Sequence, residues 1–220
     1  SRIIAQIQHA GALSQGNAHR SGSVAPSAVQ PAGEQLTFYR GEGRYPVPRA
    51  LEEAEIQAII MHFADAAERA VREAGFDGVE IHGANGYLLD QFLTAHTNLR
   101  TDAWGGDTAG RLRVILEVIK AVRARVGQDI PVGIRISQGK VNDFHHKWAN
   151  GEEDARTVFT LLAASGVDYI HLTEYEAWKP AFADNPLSLV ALARKFAPGV
   201  TLIANGSLHQ VPEAELSLQQ

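Results

Sequence analysis

The sequence predicts an α/β fold: a TIM (β/α)8 barrel, with only about strands 3 to 7 present in this chain. Three observations lead there. Five short β-rich runs alternate with amphipathic helical stretches, the rhythm of βαβ units in a parallel sheet. In each run one face is apolar and the other repeatedly polar or charged. An open sheet covered by helices on both sides would read nearly apolar throughout. Polar faces that converge on an enclosed site suit the mouth of a barrel. Finally, a barrel needs eight strands and typically ~250 residues, whereas 220 residues supply five runs, the first beginning at residue 2.

Taken in order, the first run is "RIIAQIQH" (2–9), where Ile3, Ala5 and Ile7 oppose Ile4, Gln6 and Gln8. Residues 10–50 are rich in Gly, Pro and Ser. A loop this long inside a compact domain is usually functional or disordered, and it is read as a covering loop within one partial barrel domain spanning 1–220. A helix follows over 53–74, its apolar residues recurring at three and four and ending at Gly75. In "GVEIH" (78–82) Val79 and Ile81 face one way, Glu80 and His82 the other. A helix over 109–126 precedes "VGIRIS" (132–137), where Val132, Ile134 and Ile136 oppose Gly133, Arg135 and Ser137. A helix over 152–165 leads to "DYIHLT" (168–173), and a last one over 186–196 leads to "VTLIAN" (200–205).

The composition is that of an ordinary globular chain, 45% hydrophobic and 20% charged. With a net charge of −5 and scattered basic residues, the chain carries no footprint for a phosphate backbone, so nucleic acid is not expected as a partner. The lack of cysteine excludes disulfides, thiol nucleophiles and iron–sulfur ligation within these residues. No run approaches a membrane span and no signal-peptide pattern opens the chain, so a cytoplasmic protein without membrane contact is expected. Homo-oligomerisation stays open.

The polar positions suggest chemistry. Gln6 carries a planar amide and Arg135 a permanent planar cation. Together they suit a flat heterocycle with an amide-like edge that gains negative charge, as a reduced flavin does. Equally, an Arg135–Glu80 ion pair could fill the barrel with Gln6 a satisfied core amide; both hold together if Glu80 orients Arg135. His82 and Asn85 can donate toward one oxygen of a carbonyl or nitro group, and Tyr87, with an ordinary pKa near ~10, can serve as a general acid. The bland alternative is a strand-capping His, an Asn in a left-handed turn beside Gly86, and a Tyr packed on a helix. In "TNLRTDAWGGD" (97–107), Asn98, Arg100 and Asp102 are expected to pin the loop. In "IANGS" (203–207) backbone N–H groups could hold a phosphate. His62, His145, His146 and His209 are expected to face solvent, His9 the site, and His171 the barrel interior. "KVNDFHHKW" (140–148) shows no metal-ligand spacing, and no metal is expected.

"AGFDGVEIHGANGYLLDQFLTAHTNLRTDAWGG" (74–106) strongly resembles the Old Yellow Enzyme family of FMN-dependent ene-reductases. "AQIQHAG" (5–11) looks like that family's strand with the flavin-binding Gln, "VGIRIS" its strand with the flavin-binding Arg, and "IANGS" its phosphate-side strand. The resemblance runs over nearly the whole chain in the expected order. It implies that Gln6 and Arg135 contact the ring of FMN, that Gly206 and Ser207 lie near its phosphate, that His82 and Asn85 hold the substrate oxygen, and that Tyr87 donates the proton. In the implied cycle NAD(P)H reduces FMN and leaves. An α,β-unsaturated carbonyl or nitro compound then takes hydride at its β-carbon and a proton at its α-carbon.

The family's first two strands and its eighth strand, with further flavin contacts, have no counterpart in this sequence, so a fragment is expected that alone binds FMN poorly. Some members carry an iron–sulfur cluster beyond the barrel, which the lack of cysteine here does not exclude for a longer parent. Two other function classes stand beside this one. A lyase or aldolase on the same barrel would need an inward lysine or a metal site, and the assigned inward positions hold no lysine. A non-catalytic barrel remnant would tolerate replacement of His82, Asn85 and Tyr87.

Overall fold

The computed structural model describes residues 1–15 and 22–219. Residues 16–21 of the Gly/Pro/Ser-rich excursion, and Gln220, lie outside the described residues. Five parallel strands form the main sheet: β1 (Ile4–Ile7), β4 (Gly78–Asn85), β5 (Val132–Lys140), β6 (Tyr169–Thr173) and β9 (Thr201–Asn205), in the spatial order β1-β4-β5-β6-β9. Strand order thus follows chain order without reversal. That is the winding of a (β/α)8 barrel, whereas a doubly wound sheet reverses at a switch point. Two short pairs lie apart from it: β2 (Val24–Ala25) with β3 (Arg49–Ala50), parallel, and β7 (Pro180–Phe182) with β8 (Asn185–Ser188), antiparallel.

The helices are α1 (Glu53–Glu68), α2 (Leu88–Leu93), α3 (Thr108–Val126), α4 (Glu152–Ala164), α5 (Leu189–Phe196) and α6 (Val211–Gln219). Their starts follow from local chemistry. Glu52 and Glu55 form a reciprocal capping box on α1. The Asp107 carboxylate accepts from Gly110 N–H at the head of α3, and the Ser188 hydroxyl from Ala191 N–H at the head of α5. Acidic Glu152, Glu153 and Asp154 open α4, where the helix dipole favours negative charge. Helix α1 passes into a π turn over Arg69–Glu73, and Gly75 at φ +74° releases the chain.

One contiguous apolar cluster joins the helices to the outer face of the sheet. Val79, Ile81, Val132, Ile134, Ile136, Ile170 and Leu172 meet Ile56 and Phe63 of α1, Leu112, Ile115 and Ile119 of α3, and Phe159 and Leu162 of α4. Each such side chain contributes roughly 1.5–3 kcal/mol on burial. The helices therefore cover one face and leave the polar face of the strands to line the interior. Strand ends match expectation or differ from it by up to three residues, and α5 begins at Leu189 rather than 186 because Pro186 lies in β8 and Ser188 caps the helix.

Candidate active site

Strand pairing places the polar side chains in rows. Gln6 is paired with Glu80, Glu80 with Gly133, and Gly133 with Tyr169. One pleat further along, His82 is paired with Arg135 and Arg135 with His171. Glu80 and His82 are two residues apart on β4, so both rows share the inner face. Gln6, His82 and Arg135 are thereby brought to one side of the sheet, with Gln6 and Arg135 two strand spacings apart across it, about 10 Å, and two residues apart along it, about 7 Å.

Glu80 lies buried in the first row. Its carboxylate accepts from Gln6 Nε2 at 2.6 Å and from His171 Nδ1 at 3.0 Å, and the Tyr169 hydroxyl also bonds to it. Burial alone would raise its pKa, but the hydrogen bonds from His171 and Gln6 outweigh that and hold it below the ordinary range. Burial, then Glu80, pushes the Tyr169 phenol well above its usual value. The glycine in this row has a reason. A Cβ on Gly133 would stand 2.0 Å from the Tyr169 ring, so only glycine leaves room for the phenol.

The Arg135–Glu80 ion pair that the sequence left open does not form. Arg135 Nη2 donates instead to Thr173 Oγ1 at 3.0 Å, and the Thr173 hydroxyl to Asn205 Oδ1 at 3.4 Å. In the second row three nitrogens are buried without a partner: His82 Nδ1, Arg135 Nε and His171 Nε2. Buried polar atoms normally find partners, and three that lack one fall here in a single row, a concentration of unused hydrogen-bonding capacity on the inner face. His82 is 3% exposed. Burial, then the neighbouring Arg135 charge, takes its pKa from 6.5 down to about 4, so it is a neutral imidazole at physiological pH.

Beyond His82, β4 ends in a turn whose backbone is fastened at each polar group. Asn85 N–H donates to Ser137 Oγ at 2.8 Å, and Asn85 O accepts from Val141 N–H at 3.1 Å. Gly86 N–H donates to Asp90 Oδ2 at 2.6 Å, and Gly86 O accepts from Gln91 Nε2 at 2.7 Å. Tyr87 N–H donates to Ala84 O. Asn85 and Gly86 both lie at positive φ, 62° and 82°, a sharp reversal that asparagine and glycine tolerate. Asp90 is in turn held by Lys140 Nζ, 2.7 Å from both carboxylate oxygens, in a pair with Asp90 fully buried. The turn thus presents Asn85 and Tyr87 from a rigid base, with the Tyr87 ring 5.3 Å from that of His82. Burial, then Tyr39, raises the Tyr87 pKa, so its proton is retained at neutral pH.

The described part of the 10–50 excursion is tied to this region. Arg100 Nη1 donates to Pro26 O at 3.1 Å and to Leu51 O at 2.6 Å, while Asp102 holds the rest of its guanidinium. Leu99 N–H donates to Ser27 Oγ, and Ala12 N–H to Gln91 Oε1. Tyr45 is buried, and its pKa is raised by burial and then by Tyr87.

Gly206 and Ser207 sit in the turn after β9. A Cβ on Gly206 would fall 1.9 Å from Glu174 O, so this glycine has a packing reason of its own. Ser207 Oγ donates to Tyr175 O at 2.7 Å. His62, His145 and His209 are exposed. His146 is not solvent-facing as expected: it is half-buried, its Nδ1 2.9 Å from Gln138 O and its ring 5.1 Å from His96. Sequence reasoning missed the Glu80–His171–Tyr169 network and the Lys140–Asp90 pair. The alternation in 168–173 put His171 on the inner face, but its pairing with Glu80 depends on strand register, which the sequence does not show. Among the described residues no group of acidic, His or Cys side chains is arranged to hold a metal, and no helix is long and apolar enough to cross a membrane.

Residues 1–218 match the model of the NADH:flavin oxidoreductase / NADH oxidase family. Among curated proteins, the NADH-dependent flavin oxidoreductase nadA of Aspergillus parasiticus is 44% identical over 180 residues, 79% of this chain and 38% of that protein. Chanoclavine-I aldehyde reductase ifgG of Penicillium roqueforti is 57% identical over 139 residues, 63% of this chain and 36% of that protein. Among solved structures, the old yellow enzyme homologue of Zymomonas mobilis superposes with a TM-score of 0.85 at 31% identity, covering 99% of this chain and 60% of that one. The chain thus spans little more than a third of the length of these two curated relatives.

Proposed function

The chain belongs to the NADH:flavin oxidoreductase / NADH oxidase family, whose cofactor is FMN and whose reductant is a nicotinamide nucleotide, and from that premise we propose that it reduces the C=C bond of α,β-unsaturated carbonyl or nitro compounds. One observation carries this reading. A row of buried, unpartnered nitrogens (His82, Arg135, His171) adjoins a rigid turn that presents Asn85 and Tyr87.

The donor set fits a flavin. Gln6 and Arg135 would hold the ring, with the cation placed to stabilise the negative charge of its reduced form, and Gly206 with Ser207 would face the phosphate. When bound, FMN supplies hydride transfer, from reduced nicotinamide to the activated alkene. The remaining chemistry belongs to this chain. Neutral His82 and the Asn85 amide donate to the substrate oxygen and draw electron density from the alkene. Tyr87, protonated at neutral pH, delivers the proton to the α-carbon and recovers it from solvent. A lyase reading finds one buried lysine among the described residues, Lys140. Its amine is engaged with both oxygens of Asp90, so it offers no free lone pair for a Schiff base.

The test is a half-reaction split in the intact protein that carries these residues. Tyr87→Phe is expected to slow the oxidative half-reaction with an enone at least tenfold while leaving flavin reduction by NADPH within twofold. Equal losses in both half-reactions by stopped-flow absorbance contradict the assignment of Tyr87.

A further inference from the structure

We propose that Glu80 is a positioning residue of the cofactor wall: its carboxylate dictates which end of the Gln6 amide, and which nitrogen of His171, faces the site. This rests on the preceding reading that the inner face holds FMN.

The argument is one of hydrogen-bond polarity. An amide and an imidazole each carry a donor and an acceptor and can present either, whereas an ionised carboxylate only accepts. Glu80, 7% exposed on the central part of β4, takes Gln6 Nε2 on one oxygen at 2.6 Å and His171 Nδ1 on the other at 3.0 Å. Both neighbours must therefore turn their N–H groups to Glu80. Gln6 is left with its carbonyl oxygen Oε1 free, and His171 with Nε2, which is buried and has no partner in the protein. The pyrimidine edge of a flavin alternates carbonyl and N–H groups. Its N–H needs an acceptor, which the oriented Gln6 supplies, and its carbonyls need donors, which Arg135 supplies. With the Gln6 amide reversed, two donors would meet at that edge and the ring N–H would lose its acceptor from the protein.

Glu80 also fixes a negative charge one row from Arg135. The carboxylate opposes, and the guanidinium favours, the negative charge a flavin gains on reduction. Loss of Glu80 is thus expected to make the bound flavin easier to reduce, which a purely packing role would not do.

The experiment uses the intact protein, as wild type, Glu80→Gln, Gln6→Leu and the double variant. It reads the FMN dissociation constant by fluorescence and the reduction potential of the bound flavin. E80Q is expected to weaken FMN binding at least tenfold. The relative affinity for reduced over oxidised FMN is expected to rise about tenfold, which is an upward shift of about 30 mV for two electrons. On the Q6L background, E80Q is expected to weaken binding less than threefold, because the amide it orients is gone. Unchanged affinity and potential in a stably folded E80Q overturn the inference, as does full additivity in the double variant. If E80Q does not fold, side-chain amide exchange of Gln6 in the wild-type apoprotein decides by NMR. Protection at neutral pH that is lost on acidification supports the inference, and exchange at the rate of free glutamine overturns it. Wild-type protein that binds no FMN removes the proposed function and the cofactor role of Glu80 together. Binding by wild type with E80Q indistinguishable from it removes the Glu80 role alone.

Discussion

His82 is buried as a neutral imidazole, and that couples stability to pH. Its pKa is about 4 in the folded chain against an ordinary 6.5, so below pH 6.5 the unfolded chain takes up a proton that the native state refuses. Stability contributed by neutral His82 is whole above pH 6.5 and is lost as pH falls toward 4, by about 3 kcal/mol in all at 1.36 kcal/mol per unit. Urea unfolding of wild type and His82→Gln across this window is expected to show a shallower pH slope in the variant, and equal slopes contradict the burial argument. Asp90 and Lys140 act at the same scale. Asp90→Asn leaves the Lys140 ammonium buried without its counter-charge and is expected to cost about 3–5 kcal/mol. Replacing both, as Asp90→Asn with Lys140→Met, is expected to recover most of that in urea unfolding. A double variant no more stable than D90N contradicts the pairing argument.

At the scale of elements, what the sequence disclosed followed from periodicity. The five main strands were legible because each has one apolar and one polar face, a period-two signal such as Val79 and Ile81 against Glu80 and His82. The long helices were legible from their three-and-four spacing. Helix α2, six residues all buried, is too short for a helical period to show. The β7–β8 hairpin was hidden because its strands are three and four residues long. The partners of Glu80 were not legible either, since Gln6 and His171 lie 74 and 91 positions away and only strand register brings them together. Gly133 offers an element-scale test. An added methyl would press into the Tyr169 ring, so Gly133→Ala is expected to cost about 1–3 kcal/mol, with part of the loss restored by Tyr169→Ala. An unchanged unfolding midpoint in G133A contradicts the packing described.

Across the whole molecule, the consecutive strand order and the single apolar outer face identify an arc of five strands from a (β/α)8 barrel, with its polar concavity lined by Gln6, Glu80, His82, Arg135 and His171. On the edge strand β1, Ile4 and Gln6 are exposed, while the central strands bury their polar groups. The wall that would hold a ring is therefore most complete at β4, β5 and β6. In the proposed function that wall holds a flavin that exchanges hydride with an alkene activated at His82 and Asn85. The visible spectrum of the intact purified protein tests this most directly. The expected result is flavin absorbance near one equivalent per chain, bleached by anaerobic NADPH and restored on addition of an enone. Protein that carries no flavin and takes up none from excess FMN contradicts the account at its centre, as does bound flavin that NADPH bleaches and no enone restores.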